Sequence, residues 1–574
     1  MSLKSTLSLA IALATLAACG GDTTGPSLSV CGTVAPANLA AGDASIVDPA
    51  SGPCVAVPAV PAAGSGGAEY LYLAASGAGQ QTSGGISAPY AITGSPLVAG
   101  TASQTTLPSP LFSAFKPALT AEQFHMMLRQ RERAMAADPG LAVLRASVAR
   151  APSFAAAPQV GDQKSFFVCS SLSCGQPFAT VTATAQEVSG KVAIFVDNAA
   201  TATQTYTPAD LANIGRLFDN YLYPIDTTNF GRESDIDGNG FVEVLMTPQI
   251  NRLSGGCNNT RSVILGYFFS LDLEPTQTGS NAAEIFYSIV PDPTNTSCTI
   301  TTQFAKDNLG PTFIHEFQHM ISYNRHVLVA RGPAEDTWLN EGLSHYAEEL
   351  GGRLIPDAQN PLLPPCVTAP CENTLGQFVF SDYDNAYNYL LNPEAVALIE
   401  SDQSTGSLTE RGANWLMVKW LGNQFGTTTP DSAHFLVPST RFTLNLENTT
   451  AVGAANVAQV SGVAFTDLVT YWQAANYLDD LPGFTPTNPR LQYVGFNLRA
   501  ALAQLKRSPS FPLVPDSTLT GTFSHVGTLH QGSAHHVRIV QSAGAPGVQF
   551  KLSGLAGSAI SPTLVPRVGL VRIR

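Results

Sequence analysis

Gly310-Pro-Thr-Phe-Ile-His-Glu-Phe-Gln-His-Met-Ile-Ser-Tyr323, followed by Thr337-Trp-Leu-Asn-Glu-Gly-Leu-Ser-His-Tyr-Ala-Glu348, is the stretch on which the reading of this chain turns. His315 and His319 stand four apart, so on an α-helix they lie one turn above each other, where two imidazole nitrogens can converge on one zinc ion. Glu316 sits beside that face, able to take a proton from a water at the metal without being a ligand. Phe313, Ile314, Phe317, Met320 and Ile321 make the helix mostly apolar around this polar trio. A buried helix does not carry two histidines and a glutamate unless they are paired or hold a metal, which argues against a surface helix with unrelated histidines.

A catalytic zinc needs a third protein ligand and an open fourth position. No Gly-x-x-His follows His319, and His326 falls at the wrong offset. Glu341 stands instead in an apolar run, Leu339, Leu343, Tyr346, Ala347 and Leu350, that predicts a second helix. Joined by the loop from Asn324 to Pro333, the two helices give the ligand set His315, His319 and Glu341. Glu316 is the expected base. The donor that steadies a tetrahedral intermediate is open among Tyr383, Tyr387, His345 and His326, with Tyr383 preferred. Asn340 or Glu348 is expected to hold a ligand imidazole in its tautomer.

Upstream, Phe166–Val168, Phe178–Gln186 and Lys191–Val196 predict strands. Thr207-Pro208 starts a helix whose apolar face is Leu211, Ile214, Leu217, Phe218 and Tyr221, and Pro224 is expected to end it. Asp235-Ile-Asp237-Gly-Asn239-Gly240 matches the opening of a calcium loop, with oxygen ligands on Asp235, Asp237 and Asn239. Its twelfth position is Met246, so the match is partial, and a polar turn with internally capping carboxylates is the alternative. Val263–Phe269 and Ile285–Val290 predict two more strands. The second is expected at the sheet edge, pairing with an extended peptide, with Asn281 and Glu284 at the cleft rim.

Downstream, Leu362–Cys371 reads as a proline-rich loop. Apolar stripes at Ala413, Leu416, Met417, Trp420 and Leu421, and at Phe465, Leu468, Val469 and Trp472, predict packing helices. At the outer ends, short strands broken by glycine and proline fill 20–115 and 506–574. Ala121–Ala149, with Arg129-Gln-Arg-Glu-Arg133, reads as an exposed helical linker or the end of a removable prosegment. His525, His530, His535 and His536 are expected on the surface of the terminal strands rather than at a second metal site.

Lys4, an apolar run from Leu7 to Ala18, and Leu16-Ala-Ala-Cys19 form a short processing signal. The cysteine after small residues resembles a bacterial lipoprotein cleavage box, which would make Cys19 a lipid anchor; ordinary secretion is the alternative. Of 9 cysteines in the chain, removal of Cys19 leaves an even set, Cys31, Cys54, Cys169, Cys174, Cys257, Cys298, Cys366 and Cys371. In an exported chain these predict disulfides, with nearest-neighbour pairing the simplest arrangement and others open. A length of 574 residues supports several domains, and a net charge of −13 argues against a nucleic-acid partner.

The pair His315-Glu-Phe-Gln-His-Met320 and Trp338-Leu-Asn-Glu-Gly-Leu-Ser-His-Tyr-Ala-Glu348 resembles the gluzincin signature, and its wording is closest to the hyicolysin-like neutral metallopeptidases. The similarity extends over about 166–480 and takes in Phe218-Asp219, Tyr223-Pro224, the 235–240 turn and Gly266-Tyr-Phe-Phe269. It implies zinc peptidase activity with His315, His319 and Glu341 as ligands and Glu316 as base. Where thermolysin-like relatives carry an aspartate four residues after the third ligand, this chain has His345. The aminopeptidase stretch Gly-x-Met-Glu-Asn is absent, which favours an endopeptidase.

The expected fold is multidomain α+β. A thermolysin-like zincin domain over 161–505, with a mixed sheet above and a helical lobe below, is flanked by β-sandwich-like domains over 20–115 and 506–574, with a signal at 1–19 and the helical segment at 116–160. The expected protein is a monomeric zinc endopeptidase acting on proteins or peptides, with calcium as a second cofactor. Its only membrane contact would be through Cys19. The alternatives are a non-catalytic cell-surface binding protein on a peptidase fold and a hydrolase of non-peptide esters or amides.

Overall fold

A computed structural model of the chain describes residues 31, 34–62, 66–97, 120–148, 156–257, 263–364, 372–401, 406–519 and 521–574. The signal at 1–19 with Cys19, and the pair Cys366 and Cys371, lie outside them. Of the remaining cysteines, Cys31 bonds Cys54, Cys169 bonds Cys174, and Cys257 bonds Cys298, the nearest-neighbour pairing. Among the described residues no helix is long and apolar enough to cross a membrane.

The first elements are β1 (Ala44–Val47), β2 (Cys54–Val57), β3 (Ala68–Ser76), β4 (Ser87–Pro96), α1 (Ala121–Ala137) and α2 (Pro139–Val148). The central strands are β5 (Gln163–Val168), β6 (Ala179–Val188), β7 (Val192–Asp197), β8 (Val242–Met246), β9 (Gly266–Phe268) and β10 (Ile285–Ser288). Between them run α3 (Pro208–Leu217), α4 (Tyr223–Asn229) and α5 (Pro248–Leu253). The helical lobe follows with α6 (Thr302–Tyr323), α7 (Thr337–Leu354), α8 (Thr374–Leu390), α9 (Leu408–Phe425), α10 (Thr440–Leu446), α11 (Gly453–Ser461), α12 (Phe465–Leu478) and α13 (Leu498–Ala503). The last strands are β11 (Asp516–Thr518), β12 (Phe523–His530), β13 (Ala534–Gln541), β14 (Val548–Ser553) and β15 (Pro566–Arg572).

Strands β5 to β10 form a mixed sheet in the order β5-β6-β7-β8-β10-β9, parallel at β7/β8 and β8/β10 and antiparallel elsewhere. Both β7 and β8 are buried throughout, so their sequences run apolar almost without alternation. The expectation that Ile285–Val290 forms the edge is corrected: β10 spends one edge on β8 and the other on β9, and β9 is left outermost. Asn281 and Glu284 therefore do not sit at a cleft rim. Asn281 Nδ2 donates to the carbonyl of Phe167 at 2.9 Å and to Tyr287 Oη at 2.7 Å.

Thr207 caps α3 as expected, its hydroxyl accepting from Asp210 N at 3.2 Å while the Asp210 carboxylate accepts from Thr207 N. Pro224 does not end the helix. A π-helical turn over 218–222 leads into α4, where Pro224 occupies the first turn and its missing N–H is least felt.

Helix α6 is buried continuously from Gly310 to Tyr323, lying between β9/β10 and α7. Helix α7 in turn packs on α8 and α9. Gly342 makes that approach close: a Cβ there would stand 2.7 Å from Val418 Cγ2 and 2.8 Å from the Asn414 carbonyl. The residue beside Glu341 is thus fixed by packing against α9.

Strands from the two ends of the chain interleave. One sheet has the order β1-β15-β3-β13-β11 and the other β12-β4-β14-β2. Tyr72 is in register with Val537 on one side and Leu570 on the other. The two sheets share a core that includes Tyr70, Tyr90, Ile92, Phe550 and Leu570. In place of one β domain at each end there is a single two-sheet unit. The physical reason is β3: all nine of its residues are buried, so it needs a partner on both edges, and β13 and β15 supply them. His535 and His536, expected on the surface, are buried on β13.

Candidate metal centre

Helices α6 and α7 carry the sequence motif into one buried cluster. His315 and His319, one turn apart, bring their Nε2 atoms to 3.1 Å from each other. Glu341 Oε2 lies 3.7 Å from His315 Nε2, and Oε1 lies 3.7 Å from His319 Nε2. All three residues are at least nine-tenths buried, and their donor atoms lie close enough together to hold a metal ion. Neither oxygen of the Glu341 carboxylate has a hydrogen-bond partner. A buried carboxylate with two unsatisfied oxygens facing two imidazole nitrogens is costly unless a cation completes it. Two nitrogens and one carboxylate fit a divalent metal of borderline softness, so the residues present suit such an ion.

The far nitrogens of both rings are held. His315 Nδ1 lies 2.8 Å from Glu348 Oε1, and His319 Nδ1 lies 2.9 Å from Ser344 Oγ. Glu348, one turn beyond Ser344 on α7, thus meets the far nitrogen of His315, while Asn340 does not contact either ring among the described contacts and donates to Ser322 Oγ at 3.2 Å. His345 does not replace the missing aspartate. Its Nδ1 lies 2.9 Å from both Glu348 Oε1 and Asp382 Oδ1, and these carboxylates push its pKa up to about 10 against the opposing effect of burial.

The electrostatics separate the roles. Burial and the charge of Arg129 keep the His319 imidazole neutral, its pKa well below the ordinary value. Burial would raise the Glu341 pKa, yet Arg411 and the two imidazoles hold it well below the ordinary carboxylate range. Glu316 is raised by burial, the direction that suits a proton acceptor. Its Oε2 accepts from the backbone N–H of Phe268 on β9 at 2.7 Å, which ties the residue to the sheet edge.

Two buried side chains near the cluster are not foreseen by the sequence reading. Arg411 on α9 places Nη1 3.9 Å from Glu341 Oε2. His125 on α1 stacks edge-on to His315, the ring centroids 6.5 Å apart. The available signal is a charged residue at the start of an apolar stripe for Arg411, and none for His125. Helix α1 also covers β9: Arg129 Nη2 donates to the Phe268 carbonyl at 2.7 Å, and Glu132 Oε1 accepts from Ser270 N at 3.1 Å. The Arg129-Gln-Arg-Glu-Arg133 segment is therefore partly buried rather than exposed, with Arg129 and Glu132 both inside.

Tyr383 is not brought to this cluster among the described contacts. It packs on Trp415, the rings 5.6 Å apart, and burial raises the pKa of its phenol, with Glu349, Arg353 and Asp382 the charged groups it feels. Tyr387 donates to the carbonyl of Pro509 at 2.7 Å, and His326 faces Glu447 at 3.4 Å and Glu335 at 3.6 Å, so neither is at the cluster.

In the 235–240 turn, Asp235 and Asp237 come together with Glu284, a third carboxylate from outside the loop motif. Asn239 turns inward, its Oδ1 accepting from Phe241 N at 2.7 Å and its Nδ2 donating to Asp237 Oδ2 at 2.8 Å. Glu284 Oε1 accepts from Ser234 Oγ at 2.6 Å and Ile236 N at 2.9 Å, while Oε2 has no partner.

No family model matches the chain. The chain shows partial homology to the neutral metalloprotease ShpI of Staphylococcus hyicus, 30% identical over 145 residues, or 25% of this chain. The match spans 31% of that protein, so the chain covers about a third of its relative's length. Clusters able to hold a metal, together with this kinship, support a metallohydrolase-like function in general.

Proposed function

We propose that the protein is a zinc-dependent endopeptidase, with His315, His319 and Glu341 as ligands and Glu316 as general base. The observation that carries this reading is the Glu341 carboxylate, buried and without a hydrogen bond opposite the two Nε2 atoms. Bound zinc supplies a Lewis acid and lowers the pKa of a water towards neutrality. Glu348 and Ser344 fix the tautomers of the two ring ligands. Glu316, held through Oε2 by Phe268 N, accepts the proton of the attacking water and returns it to the leaving amine. Arg411 keeps Glu341 ionised.

A peptide substrate is favoured because β9 is an outermost strand next to the base, to which an extended chain can add as a further strand. The protease activity in the relative's name points the same way. On this reading α1, within the 116–160 segment, acts as a prosegment: it occupies the Phe268 carbonyl and the Ser270 N–H that a substrate strand would need. The 161–505 region would be a thermolysin-like zincin domain, Asp235, Asp237 and Glu284 a calcium site, and the chain a monomer exported as a lipoprotein through Cys19.

The test is cleavage of unlabelled casein by the purified chain from residue 20 onward, before and after proteolytic removal of α1, with metal counted. Internal cleavage by a chain holding zinc supports the proposal. Hydrolysis of esters but not of any peptide assigns the non-peptide alternative, and zinc with no hydrolysis after removal of α1 assigns the binding-protein alternative.

A further inference from the structure

Outside the α6/α7 cluster, three side chains from distant parts of the chain meet at the junction of the two-sheet unit and the helical lobe. His525 is on β12 of one sheet, His535 on β13 of the other, and Glu394 lies in the segment after α8. His525 Nε2 lies 3.2 Å from Glu394 Oε1, and His535 Nδ1 lies 2.7 Å from Glu394 Oε2. The imidazoles stack nearly parallel, centroids 3.7 Å apart at 19°, so the two nitrogens present themselves to the carboxylate side by side. Tyr90 Oη donates to Glu394 Oε1 at 2.9 Å.

On the opposite side of the rings stands Asp516 of β11. Its Oδ2 lies 3.3 Å from His535 Nε2 and 3.8 Å from His525 Nδ1. Each imidazole thus stands between two carboxylates, and an imidazole that carries a single proton has only one N–H to offer. If the N–H groups point to Glu394, two bare nitrogens face the Asp516 carboxylate. If they point to Asp516, two nitrogen lone pairs and a carboxylate converge on one point. That second arrangement is a metal site, with the Asp516 carboxylate facing the outer nitrogens of both rings without a hydrogen bond to His535 Nε2. His535 is nine-tenths buried, and its Nε2 makes no hydrogen bond.

The backbone is shaped to the cluster. A Cβ on Gly527 would stand 1.8 Å from Glu394 Oε1 and 2.8 Å from His525 Nε2, so only glycine lets Glu394 reach the rings.

We propose that His525, His535 and Glu394 form a second metal site, for a divalent cation of the zinc class. Two nitrogens and one carboxylate select such an ion over calcium or magnesium, which take oxygen ligands. The cation would clamp the two sheets to each other and to the segment leaving α8. It is independent of hydrolysis at the α6/α7 cluster.

The experiment titrates zinc into the metal-stripped full chain, counting bound metal and mapping histidine carbethoxylation by mass spectrometry. Wild type is expected to bind two equivalents, a His315→Ala/His319→Ala variant one, and a His525→Asn/His535→Asn variant one. In wild type, zinc at two equivalents is expected to protect His525 and His535 at least tenfold, with excess calcium giving no protection. The proposal is overturned if these two histidines are modified equally with and without zinc, or if the His525→Asn/His535→Asn variant still binds as much zinc as wild type. The protection measurement uses the unaltered chain, so it decides between the two outcomes even where a variant fails to fold.

Discussion

Glu348 Oε1 meets His315 Nδ1 at 2.8 Å, one carboxylate oxygen on the far nitrogen of a ring whose other nitrogen faces Glu341. On the proposed reading this contact holds the proton on Nδ1 of His315 and leaves Nε2 free to face a metal. Replacing Glu348 by alanine is therefore expected to lower metal affinity by about 10- to 100-fold. Competition with a chelator measures this, and unchanged retention would remove Glu348 from the site.

On the proposed reading Glu316 is a base that does not ligate. Glu316→Gln is expected to slow peptide hydrolysis by about 100-fold or more while leaving metal content unchanged. Loss of metal together with activity would show instead that Glu316 supports the ligands.

Helix α1 lies over β9, the strand that a peptide would join on the proposed reading. Arg129 and Glu132 form a buried ion pair at 3.0 Å, so removing one alone strands the other's charge. The double change Arg129→Met/Glu132→Met is expected to raise the rate of peptide cleavage several-fold as α1 loosens. A fall in rate at unchanged metal content would mean that α1 belongs to the working site.

Asp272 carries a pH dependence that is separable from the metal. Burial pushes its pKa up to about 7, against hydrogen bonds from Tyr287 and Asn281 that pull it down. A folded-state pKa above the unfolded value means that the folded chain holds the proton more tightly. The contribution is fully present below about pH 4 and is lost as pH rises towards 7, by at most about 1.4 kcal/mol per pH unit. Asp272→Asn should flatten the decline, so the melting temperature of the variant relative to wild type rises between pH 5 and 7. A relative melting temperature that does not change with pH would contradict the assignment.

Gly342→Ala tests the packing beside Glu341. The added methyl meets Val418 and the Asn414 carbonyl, and backbone cannot yield as a flexible side chain does. The expected result is a destabilisation of about 1–3 kcal/mol and weaker metal binding, read from denaturant unfolding and chelator competition.

What can be read in the sequence is what is local. His315, His319 and Glu316 share one helix, and their spacing alone places them; Glu341 is found because its own helix is close by and strongly periodic. Thr207, Pro208 and Asp210 announce the start of α3 for the same reason. Contacts that cross the chain are not legible. Arg411 reaches Glu341 from another helix, His125 approaches from a segment that reads as a linker, and Glu284 enters the 235–240 turn from beyond two strands. The apolar runs of β3 and β13 mark them as strands, yet they name no partner strand. That is why the two ends read as two units, and why His525 and His535 read as surface residues.

Strand β3, flanked by β13 and β15, has a consequence for the order of events during synthesis. Glu69-Tyr-Leu-Tyr-Leu-Ala74 emerges early, but the strands that cover both its edges are made only after the whole metal-bearing region. Until then the nascent chain carries an apolar segment with unpaired backbone on both sides, open to association with other chains. Such distant pairing closes slowly, and closure reports that translation has passed β15. A product truncated before that strand would keep its metal motif and leave one edge of β3 uncovered, a ready handle for chaperones and proteases to tell it from a chain that has made β15.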